Sequence, residues 1–279
     1  MTNRLDMERL RRVLPAAQLT FSPRLYAQVG STQDLARDGA RAGAPEGLVI
    51  FADQQLAGRG RAGRSWLAPP GSALMFSLLL RPPAELWPWS TLPLVAGLAV
   101  VEGIAEAGGP RALLKWPNDC LCGERKLAGI LAEACSERGR VTGLVLGVGC
   151  NLAWKGVEPG PELLGLATAC DLEGHPVDPT ELAEAILLRL AARYVGWVAQ
   201  GFGPLRREWL EHAAWLGREV VASHPSGRVR GRLLDLSQQG ELIVETASGR
   251  VAISAGEVEA VGVPALRLDS PGTDDPDPP

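Results

Sequence analysis

A chain of 279 residues and 29.6 kDa is long enough for one large domain and a small one, so it buries a core without disulfide staples, and a stapled mini-protein is excluded. Hydrophobic residues make up 46% and charged residues 22%, with a net charge of -4 and a pI near 5.6, which fits a soluble protein and argues against a surface given over to nucleic acid. The five cysteines form no CxxC pair and there are only three histidines, so reduced packing thiols are expected rather than a zinc or redox centre.

The first residues, MTNRLDMERLRRVL, are charged throughout and lack the form of a secretory signal, and the apolar runs are broken by Gly, Pro or charge. A cytoplasmic protein with no membrane span is expected. After a short leading helix, Ser31-Thr32-Gln33-Asp34 reads as the start of a helix that runs to about Arg41 and stops at Gly43. A strand follows at Leu48 to Ala52. The stretch Gly58 to Gly71 holds four glycines, two adjacent prolines and three arginines, and reads as a long mobile loop. A buried strand from Ala73 to Leu80 comes next, then an apolar helix over 91–107 and a strand at Ala112 to Trp116 stopped by Pro117. Two strands about the turn Gly123-Glu124 lead into Lys126 to Ala134, Val141 to Val148 supplies another core strand, and helices are expected over about 180–199 and 204–214.

From Gly217 the pattern changes to five short alternating strands: REVVASH, RVRGRLLDL, ELIVET, RVAIS and EVEAV. Period-2 alternation between turn signals suggests a small closed barrel. The end, DSPGTDDPDPP, offers no core-forming residue and reads as a disordered tail. The expected division is residues 1–215, 216–265 and the tail 266–279.

Only Lys115, Lys126 and Lys155 are lysine, and only Asn3, Asn118 and Asn151 are asparagine. In a chain that writes arginine wherever a charge will serve, the surviving amines and amides between 115 and 151 mark sites where the particular group matters. Gly58-Arg59-Gly60-Arg61-Ala62-Gly63-Arg64-Ser65-Trp66 matches G-x-G-x-x-G, but Pro69-Pro70 forbids the helix that a Rossmann or P-loop phosphate site needs. What remains is a loop with three guanidinium groups suited to an anion, against the alternative of a solvated arginine-rich loop. Lys115-Trp116-Pro117-Asn118-Asp119, with Lys126 opening an apolar strand, places polar groups at a strand end facing a crevice; a capped hairpin with a snorkelling lysine is the competing account. In Gly147-Val148-Gly149-Cys150-Asn151 two alternate glycines clear one face for something flat, or for tight packing.

The ordered set STQ, ADQQLAGRGRAGRSW, KWPND, RKLAGIL and GVGCN, ending in a small barrel, resembles the biotin protein ligases. The resemblance implies an α/β (α+β) fold: a mixed sheet flanked by helices, like the catalytic domain of class II aminoacyl-tRNA synthetases, joined to an SH3-like barrel. It implies an ATP-dependent ligase that makes biotinyl-5'-AMP and transfers biotin to a lysine of a biotin carboxyl carrier protein. Implied for biotin are Ser31, Thr32, Gln33, Gln55, Arg59, Gly60, Arg61 and Lys126. Implied for ATP are Arg64, Trp66, Lys115, Asn118, Gly147, Gly149 and Asn151, with Mg2+ as the accompanying ion and no metal ligand assigned. Lys126, Arg61 and Asp119 would carry the chemistry, Asp119 by orienting or deprotonating the acceptor lysine. The family usually writes Asn where Gln33 stands. Many bacterial members begin with a winged helix-turn-helix of about sixty residues, and thirty residues precede Ser31, so no specific DNA binding is expected. A lipoate or octanoyl transferase is the alternative in the same fold family. A nucleic-acid module is opposed by a barrel without aromatic residues, and whether the chain pairs as a homodimer is left open.

Overall fold

Every residue of Ala73–Leu80 is buried, which a strand achieves only when both its faces are covered. In the computed structural model, which describes residues 4–86, 89–137, 139–157, 160 and 163–262, this strand (β3) sits inside a seven-stranded sheet. The others are β1 (Ser22–Val29), β2 (Leu48–Gln55), β4 (Leu113–Lys115), β5 (Asp119–Cys122), β6 (Arg125–Glu137) and β7 (Arg140–Asn151), in the order β1-β2-β3-β7-β6-β5-β4. β1 and β2 run parallel and the remaining pairs antiparallel, giving the expected mixed sheet.

Alternation along β2 assigns the two faces. Val49 and Phe51 join the main core with α3 (Leu92–Glu106) and α4 (Pro179–Gln200), while Leu48 and Ile50 pack with Ala36 and Ala40 of α2 (Thr32–Arg41) on the other side. Ser31 caps α2 as the sequence suggests: its backbone is extended and its hydroxyl accepts from the Gln33 N–H at 3.3 Å. The remaining helices are α1 (Met7–Val13), capped by Asp6, and α5 (Gly203–Glu211). The stretch Trp89–Glu106, with mean hydropathy 1.2, is long and apolar enough to cross a membrane, yet most of α3 is buried between the sheet and α4.

A second sheet holds β8 (Glu219–His224), β9 (Gly227–Leu236), β10 (Leu242–Thr246), β11 (Gly249–Ile253) and β12 (Glu257–Ala260), ordered β11-β10-β9-β8-β12. All five expected strands are present. Among the described residues no ladder joins β11 to β12, so the backbone pairing does not close as the sequence reading supposed. Leu233, Leu242 and Val244 nevertheless continue the core of the larger sheet, and the Trp116 indole donates to the Gly240 carbonyl at 3.0 Å across the junction. The acidic tail lies outside the described residues.

One element departs from the sequence reading. β1 has no expected counterpart: it is an edge strand that opens with Ser-Pro and is exposed or half-exposed at every position, so it lacks the apolar signal of a strand. The cysteines behave as packing thiols. All five are free; four are buried and Cys122 is half-buried, with burial pushing the Cys122 thiol up to about 11.

The crossing of α3 over α4 depends on Gly103, where an added Cβ would lie 2.6 Å from the Ile186 side chain and 2.9 Å from its backbone. Gly103→Ala should therefore cost about 1–3 kcal/mol in denaturant unfolding. Gly196, inside α4, has nothing within 4 Å of the same built atom, so Gly196→Ala should stabilise by about 0.5–1 kcal/mol. Equal effects of the two substitutions would contradict this packing.

Candidate active site

Gly147, Gly149 and Asn151 alternate along β7 and face one side of the sheet, the side that also carries α2. At roughly 3.4 Å per residue, the floor they form is about 14 Å long. Above it lies a cavity of about 980 Å³, counting its open mouth.

At the Gly147 end the lining is uncharged and polar. The Gln55 Oε1 accepts from the Thr32 N–H at 2.8 Å and from the Thr32 hydroxyl at 3.1 Å, and the Thr32 and Ser77 hydroxyls lie 2.8 Å apart. Among the described residues the Gln55 Nε2 has only the Met75 sulfur, at 3.3 Å, leaving donor capacity free. Gln33 sits over Gly147, where an added Cβ would be 3.1 Å from its Oε1; its Nε2 donates to Glu133 at 3.0 Å, while Oε1 is buried without a partner. The longer amide fits here because the floor residue is glycine.

In the middle of the floor lies Trp66. A Cβ on Gly149 would be 2.5 Å from its ring and one on Gly129 3.0 Å. The flat group that the alternate glycines anticipate is thus first of all the protein's own indole. Above that ring, at 5.6 Å, stands the Lys126 ammonium, which is also 2.7 Å from Asp119. Burial alone would raise the Asp119 carboxyl, but Lys126 and Lys115 outweigh it and hold the group below the usual carboxylate range. At this distance Asp119 is placed to position Lys126. Lys115 itself is not among the residues that line the cavity. Its ammonium lies 5.4 Å from the centre of the Trp215 ring, and burial draws it below the usual lysine range against the pull of Asp119.

The arginine loop is anchored rather than free. Arg61–Gly63 form one 3-10 turn, and Arg59 bridges to Ser65. Arg59 reaches Asp34 at 2.8 Å and Glu133 at 3.4 Å, Arg61 donates to the Asn118 Oδ1 at 3.0 Å and the Gly256 carbonyl at 3.4 Å, and Arg64 pairs with Glu257. A partly buried guanidinium requires acceptors, and here α2, β6 and the second sheet supply them. No helix follows the glycines, as expected.

At the far end the Asn151 Nδ2 donates to the Thr168 carbonyl at 2.9 Å, which leaves its buried Oδ1 unpartnered. The cavity wall therefore gathers every site residue singled out from the sequence except Lys115. It also includes Ser77 and Trp154, which sequence reasoning missed, and Glu133 behind it ties Gln33, Arg37 and Arg59 together. Glu133 carries a signal in retrospect, a carboxylate inside the otherwise apolar run 127–135; Trp154 carries none. Asp119 is the single carboxylate in the wall, already engaged by Lys126, and among the described residues no cluster of three His, Cys, Asp or Glu could hold a metal. The residues present do not form a metal cage.

If Trp66 rests on the glycine floor, Gly149→Ala should destabilise the protein by about 1–3 kcal/mol and should do so far less in a Trp66→Ala background. A denaturant double-mutant cycle reads this directly; additive effects would place the indole elsewhere.

Comparison with known proteins gives a consistent picture. The biotin/lipoate A/B protein ligase family model matches residues 25–151, and the biotin protein ligase C terminal domain model matches 215–260. The biotin--[acetyl-CoA-carboxylase] ligase of Paracoccus denitrificans is 36% identical over 219 residues, covering 75% of this chain and 88% of the relative. The bifunctional ligase/repressor BirA of Bacillus subtilis is 35% identical over 232 residues, covering 83% and 71%. Among solved structures, the biotin protein ligase from Aquifex aeolicus in complex with biotin and ATP superposes with a TM-score of 0.75 at 30% identity, covering 85% of this chain and 97% of that one.

Proposed function

The chain belongs to the biotin protein ligase family, and we propose from that premise that its groove joins biotin to ATP as biotinyl-5'-AMP and then passes biotin to a lysine of a carboxyl carrier domain. The observation that carries this reading is the two-ended groove with one ammonium, Lys126, at its middle. The uncharged end lined by Thr32, Gln33, Gln55 and Ser77 suits a neutral cyclic urea, which presents N–H donors and a carbonyl acceptor. The Asn151 end takes the nucleotide.

In the first step a carboxylate oxygen attacks the α-phosphorus, a P–O bond forms, and the bond to the β-phosphate oxygen breaks to release pyrophosphate. The obstacle is the approach of an anion to a polyanion. At 4 Å and an effective dielectric near 20, one such repulsion is about 4 kcal/mol. Lys126 offsets it at the meeting point, and Arg59, Arg61 and Arg64 add positive charge from above. Mg2+ enters as part of the substrate, bound to the triphosphate, because the wall lacks a carboxylate cluster to hold it. In the second step the acceptor amine attacks the acyl carbon, an amide forms, AMP leaves, and the amine proton passes to solvent. Asp119 keeps Lys126 in place through both steps.

We assign the activity to the cytoplasm, with a biotin carboxyl carrier domain as protein partner and, given the net charge of -4, no specific DNA partner. The direct test is incubation with biotin and ATP labelled at the α-phosphate, without acceptor. Labelled biotinyl-AMP should form only when biotin is present; label appearing as ADP, or no biotin-dependent product, would contradict the reading.

Lys126→Arg should lower biotinyl-AMP formation at least about tenfold although charge is kept, because a planar guanidinium cannot take the compact place between Asp119 and the Trp66 ring. Lys155, which is exposed and outside the cavity wall, should tolerate the same change. Near-normal synthesis by the Lys126 variant would remove the ammonium from the reaction.

A further inference from the structure

Among the described residues Lys115 is the only buried cation, at 8% exposed, and the two steps above leave it without a task. A desolvated ammonium is costly unless its surroundings offset the loss, so its place in β4 needs a cause.

One part of the cause is Asp119. β4 and β5 run antiparallel, with Lys115 directly opposite Asp119. Residues so opposed point to the same face, with Cβ atoms about 4.5–5.5 Å apart. From β6, on the other side of β5, the Lys126 ammonium stands 2.7 Å from the same carboxylate. Asp119 therefore has a lysine from the strand on each side.

The other part is Trp215. The Lys115 ammonium lies 5.4 Å from the centre of its ring, and its indole N–H donates at 2.6 Å to Glu124, in the turn between β5 and β6. Trp215 has a φ of 62°, a left-handed backbone that a bulky side chain rarely adopts. Its neighbours enforce it: the Ala214 N–H donates to the Leu114 carbonyl at 2.7 Å, and the Gly217 N–H to the Leu233 carbonyl at 2.8 Å. Such strain persists only where the surroundings over-determine it. Here it brings an aromatic face to the lysine that stands across from Asp119.

We propose that Lys115 is a positioning residue for the first step: held by Trp215, its charge fixes the Asp119 carboxylate, which in turn fixes Lys126 at mid-groove. This rests on the role given to Lys126 above. The electrostatics agrees with the geometry. Burial disfavours the Asp119 carboxylate, and Lys126 and Lys115, with Arg64 of the loop, outweigh it. Arg61 interacts with it as well. Burial also disfavours the Lys115 ammonium, as do Lys126 and Arg64, while Asp119 and Glu259 of β12 favour it. Without Lys115, burial would be opposed chiefly by Lys126, and Asp119 would take up its proton at a higher pH. A neutral carboxyl holds an ammonium less well than a carboxylate does.

The test measures ATP affinity by calorimetry and the pH profile of biotinyl-AMP formation for the whole chain, as wild type, Lys115→Met, Trp215→Leu and Trp215→Phe. Biotin and ATP titrate alike in every sample, so a difference between profiles belongs to the protein. Lys115→Met should bind ATP as the wild type does, yet the acid limb of its profile should move to higher pH, with synthesis about tenfold slower below the limb. Trp215→Leu should shift the limb the same way, and Trp215→Phe, which keeps a ring face, should stay nearer the wild type. Weaker ATP binding by Lys115→Met would make the lysine a nucleotide ligand and overturn the proposal. An unmoved limb, a rate loss equal at every pH, or a Lys115→Met chain that does not fold would overturn it too. A wild type that binds ATP but makes no biotinyl-AMP is a different result, and would refute the ligase reading itself.

Discussion

The Lys126 ammonium is the point on which the rest of the site depends. It is the second residue of β6, is held at 2.7 Å by Asp119 from β5, and lies over the Trp66 ring, so three separate segments fix one charge at mid-groove. An unpaired ammonium in a half-closed cavity would be costly, and a fully satisfied one would be useless to an arriving anion. One carboxylate partner and one aromatic face are an intermediate arrangement, in which the ammonium is stabilised while retaining hydrogen-bonding capacity. The depressed Asp119 carboxyl belongs to the same balance, since it stays ionised and keeps Lys126 in position.

The glycine floor and the arginine loop follow from that centre. Gly129 and Gly149 pair across β6 and β7, and their missing Cβ atoms let Trp66 lie flat beneath the ammonium. Trp66 belongs to the loop, so the loop must be held down, and its fastenings come from two directions. Asp34 and Glu133 take Arg59, while Glu257 and the Gly256 carbonyl of the second sheet take Arg64 and Arg61. The small β-sheet is in this way part of the site's roof, although among the cavity-lining residues none comes from it.

Much of this was legible in the sequence. The rarity of lysine and asparagine pointed to Lys126, Asn118 and Asn151, and all three face the cavity. Proline at 69 and 70 correctly excluded a phosphate-binding helix after the glycines. The side chain of Lys115 turns to Trp215, a contact one hundred residues away in the chain that no local pattern encodes. β1 was missed because an exposed edge strand has no hydrophobic period to read. The carboxylates that meet the loop's arginines lie on α2, β6 and β12, distant in sequence, so no local pattern points to them.

The central claim is that a carboxylate brought to Lys126 attacks the α-phosphorus at mid-groove. Biotin labelled with 18O in its carboxyl group, incubated with ATP and an acceptor carrier domain, tests it most directly. One labelled oxygen should be recovered in the released AMP and none in pyrophosphate. Label in orthophosphate, with ADP as the nucleotide product, would mean attack at the terminal phosphate and would contradict the account.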